Sequence, residues 1–137
     1  MNGKIVALSV LLVVISTGTA FQLGNMYSSR GTETAGKVSI RVISVQPGEN
    51  QVLIDENINF SRRTTVFEVL DQVADVGYKE YVGVGKFVTS IDNVKQTSDK
   101  WWIYQVNGVY PNIAADRYVI ANGDNIIWKF TSEWPTF

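Results

Sequence analysis

The sequence contains neither cysteine nor histidine. The absence of cysteine excludes disulfides, thiol catalysis and zinc–thiolate sites, and the absence of histidine removes the commonest general base and transition-metal ligand. Positive and negative side chains nearly balance, with 12 Lys and Arg against 13 Asp and Glu, for a formal net charge of −1. Nucleic acids and acidic membrane surfaces are therefore poor candidates as partners.

Carboxylates are the groups that remain for acid–base or metal chemistry, and their positions favour other roles. Asp71 and Asp75 fall on the polar face of a predicted helix, where solvation explains them. Asp116 and Asp124 flank a predicted strand, but nothing in the sequence indicates the cleft that two catalytic carboxyls need. The possible calcium ligands Asp92, Asn93, Asn122, Asp124 and Asn125 lack the spacing of a calcium loop and are typical of turns. We therefore expect a non-catalytic protein without a metal site or cofactor.

The N-terminal residues 1–27 predict an export signal or a membrane anchor. Lys4 precedes the aliphatic run Ile5–Ile15, and small residues end at Ala20, a suitable position for signal-peptide cleavage. The uncharged stretch Ile5–Leu23 is also long enough to cross a hydrocarbon core of about 30 Å as a helix. The sequence leaves a cleaved peptide and a retained anchor open, and both place the rest of the chain outside the cell or on its surface.

The folded domain is predicted to occupy residues 37–137. The preceding segment 28–36 is polar, small and glycine-flanked, which is typical of a linker. Asn59, Phe60 and Ser61 form an N-glycosylation sequon, and the sequence does not decide whether it is used.

The first half of this domain predicts two strands and a helix. Val38, Ile40 and Val42 alternate with other residues as in a half-buried strand, and a second strand follows the Pro47-Gly48 turn. The pattern over Thr65–Val76 predicts a helix with a capping box between Thr65 and Glu68, an apolar stripe, and Gly77 just past its end.

The second half predicts further strands separated by tight turns. The strands cover residues 87–91, 101–106 and 125–130, with turn dipeptides at Asn107-Gly108 and Gly123-Asp124. Strands, one helix and then more strands indicate an α+β fold in which the helix packs on one face of a sheet.

Aromatic side chains crowd into the last third of the chain. Strand alternation sends Trp101 and Ile103 to one face and Trp102 and Tyr104 to the other, so one of these two sets must form core. The other set is either a second buried layer or an exposed recognition surface. Tyr110, which follows the Asn-Gly turn, favours a recognition surface for flat ligands, sugars or a partner protein.

Five short motifs occur in an order and spacing that resemble one family. They are Thr65–Leu70 (TVFEVL), Gly85–Ile91 (GKFVTSI), Trp102–Gly108 (WIYQVNG), Ala115–Tyr118 (ADRY) and Gly123–Phe130 (GDNIIWKF). The chain thus resembles the transcobalamin-like C-terminal domains of bacterial and archaeal surface proteins. The resemblance implies a small β-grasp-like sheet carrying one main helix. In the vitamin carriers of this family, the similar domain covers one face of a bound corrinoid.

The resemblance also implies where a ligand would bind. By analogy the contacts come from the segment 104–110 and the following loop, which offer Tyr104, Gln105, Tyr110 and Ile113. The function it implies is a non-catalytic binding module, exported or membrane-tethered, for a corrinoid or other flat small ligand together with a partner chain. The alternative is a structural or adhesive cell-surface module that binds another protein, through a sheet edge or the aromatic patch.

Overall fold

A computed structural model describes residues 35–135 of the chain. The predicted signal or anchor, residues 1–27, and residues 28–34 of the predicted linker lie outside the described residues, and both assignments stay predictions. Within the described range, no helix is long and apolar enough to cross a membrane.

The described domain consists of two β-sheets and one α-helix. The elements in chain order are β1 (Gly36–Ser44), β2 (Gln51–Phe60), α1 (Val66–Val73), β3 (Val76–Tyr81), β4 (Gly85–Ile91), β5 (Val94–Lys95), β6 (Trp101–Val106) and β7 (Asn125–Thr131). A four-stranded sheet has the order β2-β1-β7-β6, and a three-stranded sheet has the order β3-β4-β5. The predicted α+β class is confirmed.

The large sheet is built around a parallel pair of strands. β1 pairs with β7 in parallel and with β2 in an antiparallel hairpin, while β6 pairs antiparallel with β7. The predicted alternation in β1 is confirmed, because Val38, Ile40 and Val42 are all buried. β6 has the bounds that the sequence predicted and forms one edge of this sheet.

The helix α1 begins where the sequence predicts and ends earlier. Thr65 is the N-cap, and its Oγ1 accepts a hydrogen bond from the Glu68 amide at 3.2 Å. The Glu68 carboxylate does not return to the Thr65 amide as a full capping box requires; it accepts from the Thr65 hydroxyl and from Arg62. The last helical residue is Val73, because Ala74 is already extended.

The predicted extension of the helix to Val76 is wrong, as is the assignment of Gly77 to a left-handed helix cap. Both residues belong to β3, where Val76 pairs with Ile91 and Gly77 with Ser90. The space beside Gly77 is occupied by the Ser90 side chain, so glycine is needed there for close approach of the two strands.

The core lies between the helix and the inner faces of the strands. The predicted grouping of Val69, Leu70, Val73 and Trp128 in one core is confirmed, and all four are at most 3% exposed. Ile126 and Phe130 join them from β7, so the alternation predicted for that strand also holds. The helix thus packs on the inner face of the large sheet.

Candidate functional site

The two faces of β6 have different environments. Trp102, Tyr104 and Val106 are buried in the core, whereas Trp101 and Ile103 on the opposite face are half-buried. The core set is therefore the one that contains Tyr104. The opposite face is the one on which a recognition surface can form.

The outer face of β6 carries an apolar cluster that we call the aromatic shelf, made of the rings of Trp101, Tyr110 and Trp134 together with the side chain of Ile103. Trp134 is 73% exposed and stacks on Trp101, with ring centroids 4.4 Å apart and an interplanar angle of 25°. The Tyr110 hydroxyl accepts a hydrogen bond from Lys129 Nζ at 3.3 Å, and Lys129 is the cross-strand partner of Ile103. These contacts hold the four side chains on the same side of the sheet.

An open groove runs beside this shelf along the edge of β6. Its volume is about 300 Å³, and it is bounded by β6, by residues 86–88 of β4, by the loop 110–115 and by residues 134–135. Most of the wall is apolar, with Phe87, Pro111 and Ala114 beside the shelf. A concave apolar surface with few polar groups is the common form of a small-molecule site.

Three of the four predicted site residues line this groove. Ile113 is 50% exposed, Tyr110 is half-buried, and Tyr104 is buried, with 8% of its surface exposed. Tyr104 donates its hydroxyl proton to the Ile113 carbonyl oxygen at 2.7 Å, so it supports the loop that carries Ile113. Gln105 is half-buried on β6 and does not line the groove.

The Tyr104 hydroxyl is held in its neutral form. Burial raises its pKa well above the usual range, and the neighbouring Tyr118 and Asp116 raise it further. A hydroxyl in this environment acts as a hydrogen-bond donor and not as a general base. In the groove, Tyr104 therefore holds in place the loop that carries Ile113.

The sequence did not identify several groove residues. Trp134 follows the last strand in a segment without periodicity, and Lys86 and Phe87 belong to a different sheet. The indole Nε1 atoms of Trp101 and Trp128 are buried and have no hydrogen-bond partner within residues 35–135. Unpaired buried donors are uncommon, and both belong to side chains of the groove wall.

Within the described part of the chain, no group of three or more Asp and Glu side chains is arranged to hold a metal ion.

Two solved structures share this fold. One is a candidate metal-binding protein from Ruminococcus gnavus ATCC 29149, 20% identical, with a TM-score of 0.56 over 72% of this chain and 99% of that one. The other is haptocorrin in complex with Cbi, 15% identical, with a TM-score of 0.55 over 70% of this chain and 25% of that one. The chain thus corresponds to about a quarter of haptocorrin's length, and identities this low show the fold alone.

Sequence comparison identifies the family directly. No curated protein matches the chain significantly. The family model described as "Domain of unknown function (DUF4430)" matches residues 64–132, from the end of the loop before α1 to the residue after β7. That match covers just over half of the 137 residues, and the chain belongs to the DUF4430 family.

Proposed function

We propose that this domain is a non-catalytic binding module whose site is the groove along β6. The observation that carries the proposal is the aromatic shelf beside an open apolar groove of about 300 Å³. Stacked and exposed rings such as Trp134 on Trp101 provide a flat, rigid apolar surface at low entropic cost.

The ligand class we propose is a flat small molecule, of which a corrinoid is the leading example. The rings of the shelf would contact its flat face. The structural similarity to haptocorrin in its complex with Cbi supports this class, as does the resemblance to transcobalamin-like domains.

A partner chain is part of the proposal because the groove forms one wall of a site. Ligand pockets that hold a drug-sized molecule alone enclose roughly 300–1,000 Å³, and this groove is open at the low end of that range. In haptocorrin the matched region is about a quarter of the chain, so most of that protein lies outside it. We propose the same division of the site here, with a second wall from another chain.

The finer assignments of fold and location are also proposals. The strand order β2-β1-β7-β6 with a parallel central pair and one helix supports the β-grasp-like description. Placement outside the cell or on its surface, with attachment through residues 1–27 if they are retained, rests on the sequence pattern of those residues.

The test is a spectroscopic titration of the purified chain with cobinamide and with cobalamin. We expect saturable binding at about micromolar dissociation constants or weaker, since one wall supplies only part of the contact. Ile113→Ala and Tyr110→Ala should each weaken binding, whereas Leu53→Ala should not, because Leu53 lies on β2 at the opposite edge of the sheet. Equal binding by all three variants, or no saturable change with either corrinoid, contradicts the proposal.

A specific observation also favours the second candidate function, the binding of another protein. β6 is an edge strand of the large sheet, and edges of this kind accept added strands from other chains. Such a partner would pair its own backbone N–H and C=O groups with those of β6.

A further inference from the structure

The turn between β3 and β4 exposes apolar side chains at its tip. The Val84 amide donates to the Tyr81 carbonyl at 3.0 Å and closes a four-residue turn, in which Gly83 has a φ of 79°. Val82 is fully exposed, Val84 is 54% exposed and Tyr81 is 46% exposed. Gly, Pro, Asn, Asp and Ser dominate turns of this kind, so the turn itself does not explain a valine on each side of Gly83. We call Tyr81, Val82 and Val84 the hairpin tip.

The strands behind the tip extend this apolar surface with aromatic rings. Phe87 is 44% exposed and packs edge-on against Tyr81, with ring centroids 5.4 Å apart. Tyr78 is exposed as well and packs edge-on against Phe67 of α1, with ring centroids 5.2 Å apart. Five of the ten large hydrophobic side chains that are exposed within residues 35–135 therefore lie between positions 78 and 87. Single exposed apolar residues are normal, whereas a contiguous group of them marks an interaction surface.

The order of chemical groups along the hairpin matches the interface of a lipid bilayer. Valines occupy the tip, an aromatic ring comes next, and Lys79 lies behind it with its Nζ 5.3 Å from the Tyr81 ring centroid. Aromatic rings favour the headgroup level of a bilayer, and a lysine stem lies along apolar surface while its ammonium group stays in water. Lys79, Glu80 and Lys86 leave little net charge on the hairpin. Burial of apolar side chains, and not attraction to anionic lipids, would therefore drive association.

The small size of the tip and the character of the N-terminal sequence favour a lipid surface over a second protein. A stable protein interface buries about 800 Å² on each partner, which is more than three side chains can supply. A membrane-bound segment needs to enter the headgroup boundary by only about 5–10 Å. The uncharged stretch Ile5–Leu23 predicts export through a membrane or anchoring in one. If that stretch is retained, the segment 28–35 spans at most about 30 Å when extended, which keeps the domain within reach of the bilayer.

We propose that the hairpin tip inserts into the interface of a lipid bilayer and holds the domain against the membrane surface. Val82 and Val84 enter the boundary between headgroups and acyl chains, and the Tyr81 ring lies at the headgroup level. None of these three residues lines the β6 groove, so the inference goes beyond the proposed function and does not depend on its ligand. The contact adds to any attachment through residues 1–27.

The experiment places a fluorescent label at one position of the full chain, which has no cysteine of its own. Val82→Cys and, as a control on β2, Val52→Cys are labelled with the environment-sensitive fluorophore NBD and mixed with phosphatidylcholine vesicles, with and without acyl-chain spin labels. We expect a blue shift and about twofold quenching by the spin-labelled lipid at position 82 and neither at position 52, because only the tip enters the boundary. Unchanged emission at position 82 overturns the proposal. A blue shift there without lipid quenching, or in the absence of vesicles, shows a contact between proteins and also overturns it.

Charge variants of the chain labelled at position 82 test whether the apolar tip causes the association. Val84→Asp should lower the lipid quenching about threefold, whereas Val52→Asp should leave it unchanged, because an added carboxylate opposes insertion only at the tip. The two valines are matched in exposure, at 54% and 53%, and unfolding midpoints of both variants are measured in parallel. Equal quenching in the two variants contradicts the inference. Cobinamide binding by Val84→Asp should equal that of the parent, since Val84 does not line the groove. Lipid quenching without cobinamide binding would leave the tip inference standing and refute the flat ligand, and the reverse result would refute the tip alone.

Discussion

Leu70→Ala is the most informative change to the core that supports the groove. Leu70 lies on α1, is 0% exposed, and belongs to the cluster that also contains Trp128, a groove residue. Burial of a leucine side chain stabilises by roughly 1.5–3 kcal/mol, and the cavity left by truncation adds to that loss. Because no part of Leu70 reaches solvent, we expect the free energy of unfolding to fall by about 3–5 kcal/mol.

Urea denaturation followed by tryptophan fluorescence and far-ultraviolet circular dichroism measures this loss. The matched control is Leu53→Ala, since Leu53 is 37% exposed on β2, and it should cost less than about 1 kcal/mol. The slopes of the two transitions should match that of the parent, so that the midpoints report stability directly. If Leu53→Ala costs as much as Leu70→Ala, the burial assigned to the helix is wrong.

Three further predictions concern the cap, a glycine and the buried tyrosine. Thr65→Ala should lower the free energy of unfolding by about 1 kcal/mol because it removes the N-cap of α1, and urea denaturation will show whether it does. Gly85→Ala should lower the free energy of unfolding more than Gly83→Ala does in the same assay. Both glycines have positive φ, but only at Gly85 would an added Cβ lie 2.5 Å from Asp116 Oδ1. Equal losses in the two variants would contradict the packing at Gly85. The raised pKa of Tyr104 means that the folded state holds its proton more tightly than the unfolded state, so stability is full below about pH 10 and falls as the pH rises above it. Between neutral and strongly alkaline pH, the unfolding midpoint of Tyr104→Phe should fall less than that of the parent protein. An equal fall in both proteins would contradict the buried environment assigned to this hydroxyl.

The sequence predicts those elements whose local pattern agrees with their packing. Burial alternates from Val38 to Val42 in β1 and from Ile126 to Phe130 in β7, so the buried faces of these segments follow from the order of residues. The start of α1 follows from Thr65, because a hydroxyl that accepts from the third following amide is a local interaction. The end of the helix does not follow, since Val76 fits both a helical stripe and the strand that it joins.

The sequence did not predict β3 and β5, whose local patterns are weak. β3 is largely exposed and reads VGYKEY, which has no apolar alternation, and β5 has only two residues. Both strands are defined by their pairing with β4. Tertiary contacts of this kind decide such segments more than intrinsic preference does.

The candidate site was predicted in part for a related reason. The aromatic residue after the Asn-Gly turn pointed to Tyr110, and the resemblance to transcobalamin-like domains pointed to Ile113; both line the groove. Alternation alone could not decide which face of β6 is core, and the structure places Tyr104 there. The groove itself depends on β4 and β6, which belong to different sheets, so no local pattern indicates it.

The central claim is that the β6 groove is the binding site, and the indole N–H signals of the tryptophans test it most directly. In proton–nitrogen NMR spectra of the full chain titrated with cobinamide, the signals of Trp101, Trp128 and Trp134 should shift in a saturable way, because all three line the groove. Trp102 also lines the groove, but its signal should move least of the four, because its Nε1 is already held by a hydrogen bond to the Val94 carbonyl at 2.9 Å. Saturable shifts confined to residues of the β2 edge, or no saturable shift of the Trp101, Trp128 and Trp134 signals, would contradict the account.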